Sequence, residues 1–243
     1  ISLSMKVKAS LHCHTSADLV EGGVIGYSVF DLIDRAKEAG IAVLAHTCHR
    51  YFVWDQAWSD YADQNGILLI PGVELELTEG GSANHTLAIN CDASIGEVQS
   101  FADLAQYRIT HPDLLVIAAH PNFGFGVSLG KERLLKYWSL FDAVENSWFY
   151  SRFLNPNQVI NQLCIARHKP FIATADLHNF NFSCLRSDYA VLDLTDLSAQ
   201  AVVRAVKQGL FTNVSEPKSL FQLGSTISHA LYLDYLNKLT KKQ

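Results

Sequence analysis

Residues 27–47 read YSVFDLIDRAKEAGIAVLAHT, and two kinds of periodicity meet within this stretch. Phe30, Ile33, Ala36 and Lys37 recur at helical spacing, and Gly40 supplies the stop. The run after it, IAVLAHT (41–47), is apolar and bounded by glycine, which describes a buried strand. Ahead of the helix, VKASLHCH (7–14) reads as another strand. Strand, helix and second buried strand in this order are the repeating part of a parallel βα architecture.

The alternation continues along the chain. ILLIPGVELEL (67–77), HTLAINC (85–91), DLLVIAAH (113–120), FDAVENS (141–147) and PFIATADLH (170–178) read as further strands. Helices are expected over 95–110, 198–209 and 228–242, and over 156–169, where Pro156 sits at a tolerated first-turn position. Trp54, Trp58 and Tyr61 recur at i, i+4 and i+7, as one core-facing side of a helix. About seven buried strands predict an α/β, TIM-like barrel somewhat short of eight regular units. With no linker or repeat, residues 1–243 are expected to form a single domain, with the 228–242 helix packed on the barrel.

A hydrophobic content of 49% against 18% charged residues suits a chain that buries a large core, and excludes a disordered one. No apolar run approaches the roughly 20 residues that span a bilayer. The opening ISLSMKVK has neither an apolar segment nor a small-residue cleavage site, so no signal peptide is expected. Five scattered cysteines without C-x-x-C argue for a reducing, cytoplasmic compartment. A net charge of −5 argues against a long nucleic-acid duplex as partner, and leaves room for a small phosphorylated substrate.

The ionisable residues gather at the ends of the predicted strands. His12 and His14 end the first, two apart and therefore on one face. His49 lies just past the second, Glu74 and Glu76 fall in the third, and His120 ends the fifth. Glu145 nears the end of the sixth, and Asp176 and His178 end the seventh. His85 is the exception, because it precedes the fourth strand unless that strand begins near Gly80 or runs antiparallel. Strand ends of an α/β barrel face one mouth, so these groups converge. A core does not need so many unpaired imidazoles and carboxylates, whereas an open catalytic site for Zn, Mn or Fe does. Their number exceeds what one ion can hold, and two or three fit better.

HCHTSAD, GIAVLAHTCH, PGVELEL, NHTLAI, AAHPN and ATADLH, in this order from about residue 8 to 178, resemble the successive motifs of the PHP (polymerase and histidinol phosphatase) superfamily. The resemblance implies a distorted (β/α)7 barrel and a di- or trinuclear metal centre that hydrolyses phosphoesters by a metal-bridging hydroxide. By the same resemblance His12, His14 and Asp176 would hold a first ion, and Glu74 would bridge to a second held by His85 and His120. His49 and His178 would serve a third ion with an acid shortly after the H-x-H, Asp18 first and Glu21 as the alternative. Glu74, Asp176 and His178 are the residues on which catalysis would turn. One departure is Cys48, which stands where the family's T-D-H motif has aspartate and reads as a packed thiol.

Arg50 and Arg186 are candidates for contact with substrate phosphate, and Glu76 and Glu145 for support of the histidines. Gly124, Gly126 and Gly130 after His120 read as a mouth loop, since the phosphate-loop spacings are absent. An amidohydrolase of the barrel type is the competing enzyme. It is disfavoured because its carboxylated strand lysine has no counterpart beyond Lys6 and Lys8, which precede the histidine pair. A non-catalytic, metal-dependent binding module is the third possibility.

Overall fold

A computed structural model describes residues 4–79, 82–123, 128–178 and 182–224. The expected helix over 228–242, with His229, lies outside the described residues, as do Gly124 and Gly126. Strand β1 (Met5–Cys13) leads into helix α1 (Val29–Ala39) and strand β2 (Ile41–His46). Ser28 and Asp31 cap α1 reciprocally, and Gly40 ends it at φ +72°, a left-handed turn that glycine adopts without a Cβ penalty. The buried face of α1 is Val29, Leu32, Ile33 and Ala36. Phe30, expected on that face, is turned outward by about one residue and meets Tyr61 edge-on.

Helix α2 (Gln56–Gln64) precedes the long strand β3 (Leu68–Glu79), which pairs parallel to β2. Strand β4 (Ser82–Ile89) runs antiparallel to β3 and to β5 (Leu115–Ala118). Of the two conditions that bring His85 to the mouth, both hold: the strand starts before His85 and is antiparallel. Helix α3 (Phe101–Thr110) is shorter than the expected 95–110, because a separate 3₁₀ turn occupies Ala93–Glu97. Helix α4 (Gly130–Lys136), strand β6 (Ala143–Asn146), helix α5 (Asn157–Ala166) and strand β7 (Phe171–Ala173) complete the parallel half.

Two further strands close the sheet. A short helix α6 (Cys184–Ser187) leads to β8 (Asp188–Leu194), then α7 (Ala199–Gln208) and β9 (Phe211–Ser215). β8 runs antiparallel to the first half of β1, β9 runs antiparallel to β8, and the nine strands follow the order β7-β6-β5-β4-β3-β2-β1-β8-β9. The barrel is therefore TIM-like but distorted, with nine strands among the described residues in place of about seven.

Its seam differs from end to end. At the bottom β8 and β9 fill the gap between β1 and β7, and the Asn213 side chain spans the last step. That amide accepts the Ala173 N–H at 2.8 Å and donates to the Phe171 carbonyl at 2.7 Å. At the mouth β1 meets the continuation of β7 directly, through His14 N–H to Leu177 O at 3.1 Å and Leu177 N–H to His12 O at 3.3 Å. The ends of the first and seventh strands are thus drawn together. Asn213→Ala should remove two seam hydrogen bonds, costing about 1–2 kcal/mol. For a chain of this size that is a fall in melting temperature of roughly 2–4 °C per kcal/mol. An unchanged melting curve would show that the seam does not depend on this amide.

Candidate metal centre

Alternation in β1 places His12 and His14 on one face, and each ring is fixed through Nδ1. His12 Nδ1–H donates to Glu145 Oε1 at 2.8 Å, and His14 Nδ1–H donates to Asp18 Oδ2 at 3.1 Å. Glu145 is held in turn by the His120 N–H at 2.6 Å and by the Thr174 hydroxyl. With Nδ1 occupied, Nε2 of both rings points inward, buried and without a hydrogen-bond partner.

What they point at is Glu74, fully buried on β3. Its two oxygens divide the histidines between them. Oε2 lies 3.3 Å from His12 Nε2, 3.3 Å from His14 Nε2 and 3.1 Å from His49 Nε2. Oε1 lies 2.8 Å from His85 Nδ1 and 3.1 Å from His120 Nε2. Asp176 Oδ1 approaches His12 Nε2 at 3.3 Å, His14 Nε2 at 3.7 Å and His178 Nδ1 at 3.2 Å.

These separations fit a set of metal donors. Donors 2.0–2.2 Å from an ion are about 3–3.5 Å apart along the edges of its coordination polyhedron. Orphaned buried atoms point the same way: Glu74 Oε2, Asp176 Oδ1, His120 Nδ1 and both ring nitrogens of His85 have no hydrogen-bond partner. Among the described residues three overlapping groups could each hold an ion, namely His12, His14 and Glu74; His49, Glu74 and His85; and His14, His49 and His178.

Asp18, the acid expected first for the third ion, lies against the outer nitrogens of two of the rings. It is buried behind the rings, where Oδ2 accepts from His14 Nδ1–H, from His49 Nδ1–H at 2.8 Å and from the His49 backbone N–H at 2.8 Å. Oδ1 accepts from the N–H groups of Val20 and Glu21 at 2.8 and 3.0 Å. Five donors occupy its oxygens. Glu21, the alternative, is half-exposed with Oε2 3.6 Å from His178 Nε2.

The electrostatics follow from this crowding. Burial alone would raise the Glu74 carboxyl, but His85, His12 and His49 hold it well below the ordinary range. Asp176 is lowered likewise, against burial, by His12 and His178. His14 is pushed down to about 4 by burial and by its neighbours His178 and His49. Its imidazole is therefore neutral and ready to bind an ion at pH 7. His178 is the opposite case: burial opposes charge, yet Asp176 raises it to about 10. An imidazole must lose its proton to bind a metal. Metal affinity at the His178 position should therefore rise with pH across neutrality, by about tenfold per unit for one displaced proton. Calorimetric Mn²⁺ titrations over a pH series measure this, and a pH-independent affinity would contradict it.

The other predicted residues lie at the rim of this cluster or beyond it. Arg50 pairs with Glu76 at 2.6 Å on the rim. Arg186 lines a groove of about 540 Å³ with Arg35, Glu38, Phe182 and Ser183, away from the histidines. The buried Cys48 thiol, pushed up by burial, lies 3.3 Å from His46 Nε2, which also meets the Thr15 hydroxyl at 2.9 Å. It packs beside the centre without entering it. Lys8 turns away, over the Tyr189 ring. Thr174 and Thr15 went unforeseen, and nothing in a lone sequence sets such hydroxyls apart from surface ones.

No family model matches the chain, and no curated protein does. Among solved structures it is similar to a two-domain protein from Bacteroides vulgatus that contains a predicted PHP-like metal-dependent phosphoesterase. The identity is 18% and the TM-score 0.67, over 88% of this chain and 66% of that one. It is similar also to a lesion-specific endonuclease from Pyrococcus furiosus, at 16% identity and a TM-score of 0.59, over 86% of this chain and 57% of that one. A third is an amidohydrolase from Chromobacterium violaceum with bound sulfate and no metal, at 15% identity and a TM-score of 0.56, over 71% and 88%. The chain spans just under two thirds of the first and less of the second. At these identities the likeness is one of fold, and it matches the barrel expected from the motifs.

Proposed function

We propose that this barrel is a metal-dependent phosphoesterase of the PHP-like kind, acting on a small phosphorylated metabolite or short nucleotide, with residues 1–243 as one domain. The observation that carries the proposal is Glu74, whose two carboxylate oxygens face two separate sets of inward-aimed histidine nitrogens. A carboxylate so placed suits a bridge between two divalent ions. When bound, such ions lower the pKa of water and neutralise charge on phosphoryl oxygens, which is the chemistry a phosphoester needs.

His12, His14 and Asp176 would hold one ion and His85 and His120 the other, both sharing Glu74. His49 and His178 would serve a third with Glu21, because the Asp18 oxygens are already taken by five N–H donors. Asp18 and Glu145 are then positioning residues: they keep the proton on Nδ1 of three rings so that each Nε2 lone pair faces the centre. His178, about a third exposed, is the most open of these histidines.

The amidohydrolase neighbour keeps hydrolysis of an amide as the second reading. Chain reconstituted with Mn²⁺, Zn²⁺ or Fe²⁺ and offered phosphomonoesters, phosphodiesters and amides separates the two. Turnover of amides alone would overturn the phosphoesterase proposal.

A further inference from the structure

Arg50 follows His49 directly, and its backbone is left-handed, with φ at +60°. Among the described residues only five non-glycine positions have positive φ, and three of them, Arg50, His120 and Asp176, lie at the metal centre or its rim. A side chain pays a steric cost in that region, so the conformation persists only where its surroundings fix it. Here the Arg50 N–H donates to the Glu74 carbonyl at 2.9 Å, which ties the strained residue to the strand that carries the central carboxylate.

The side chain reaches the rim and stops on Glu76. Nη2 lies 2.6 Å from Glu76 Oε2, and the other oxygen of Glu76 is 3.9 Å from His85 Nε2. Arg50 is 53% exposed and Glu76 14%. A half-exposed ion pair stabilises a fold little, so it does not account for a strained backbone. A bare Glu76 beside His85 would repel an anion approaching the centre. A guanidinium parked on it cancels that charge and keeps a planar pair of donors within reach of incoming oxygens.

Resting on the phosphoesterase reading, we infer that the Arg50–Glu76 pair is the specificity element of the mouth: Arg50 leaves Glu76 to take two oxygens of a substrate phosphate. The substrate class is a terminal phosphomonoester. A monoester has three non-ester oxygens, one more than a diester, and so has oxygens to spare for a guanidinium when others face the Glu74 side.

Arg50→Gly is the informative variant, since glycine accepts the left-handed backbone and the fold should melt at or above the wild-type temperature. Calorimetry of the Mn²⁺-loaded full chain with inorganic phosphate should show binding weakened roughly 10- to 100-fold, as expected on losing charge-assisted hydrogen bonds. Glu76→Gln, which frees Arg50, should tighten phosphate binding. In turnover, Arg50→Gly should raise KM for a phosphomonoester far more than for a diester. Phosphate affinity within twofold of wild type in Arg50→Gly, or weaker binding in Glu76→Gln, would overturn the role of the pair. So would a wild-type chain that binds no phosphate, and equal losses on both ester classes would overturn the substrate class. Intact, Arg50-dependent phosphate binding without turnover of any phosphoester would support the pair and strike the phosphoesterase reading alone.

Discussion

Glu74→Gln is expected to lower turnover by about 10³-fold or more and to leave the chain unable to retain its ions. Five histidine nitrogens lie within 3.3 Å of this one carboxylate. A glutamine of the same shape offers one weak oxygen donor and an amide N–H₂ that points protons at the neighbouring lone pairs. Metal ions contribute several kcal/mol of transition-state charge stabilisation, and about 4 kcal/mol corresponds to 10³ in rate. A second readout separates the loss from misfolding. Wild-type chain at about 100 times the metal dissociation constant should gain about 2.7 kcal/mol on metal addition. The variant should fold without metal and gain little. If Glu74→Gln binds metal and turns over like the wild type, Glu74 is not a bridge.

Asp18→Asn and Glu21→Gln form the second expected result, as a contrast. Asp18 Oδ2 fixes the tautomer of both His14 and His49, so its loss should weaken metal binding at more than one position, by about 10- to 100-fold. Asparagine can also turn its N–H₂ toward the ring N–H groups, where it repels them. Glu21, half-exposed with Oε2 3.6 Å from His178 Nε2, should weaken metal binding at the His178 position alone. Metal stoichiometry and stepwise affinities by calorimetry distinguish the two. If Glu21→Gln leaves every step unchanged while Asp18→Asn deletes a single one, Asp18 is itself a ligand and the assignment is reversed.

Much of the barrel was legible because helical and strand periodicities differ, and Gly40 separates one from the other within a few residues. The convergence of His12, His14, Glu74, His120, Asp176 and His178 was legible for a similar reason: strand ends of a parallel sheet share a mouth. His85 could not be settled alone, since strand direction comes from pairing with β3 and β5 and not from the composition of HTLAINC. β8 and β9 went unforeseen, although DYAVLDL alternates buried and half-buried residues. The hydrogen-bond setting of Asp18 was hidden more deeply. Two of its donors come from His49, 31 residues away, and no local pattern reports that loop packing. The groove that Arg186 lines was hidden for the same reason, because α6 and α1 meet only in the folded chain.

The seam between the first and seventh strands also bears on how the centre comes into being. His12 and Asp176 stand 164 positions apart and meet only when Leu177 pairs with β1. Bringing such distant segments together costs loop-closure entropy that no nearby contact repays in advance. An ion held by both His12 and Asp176 would act as a clasp across the join, so ion loading and barrel closure become one equilibrium.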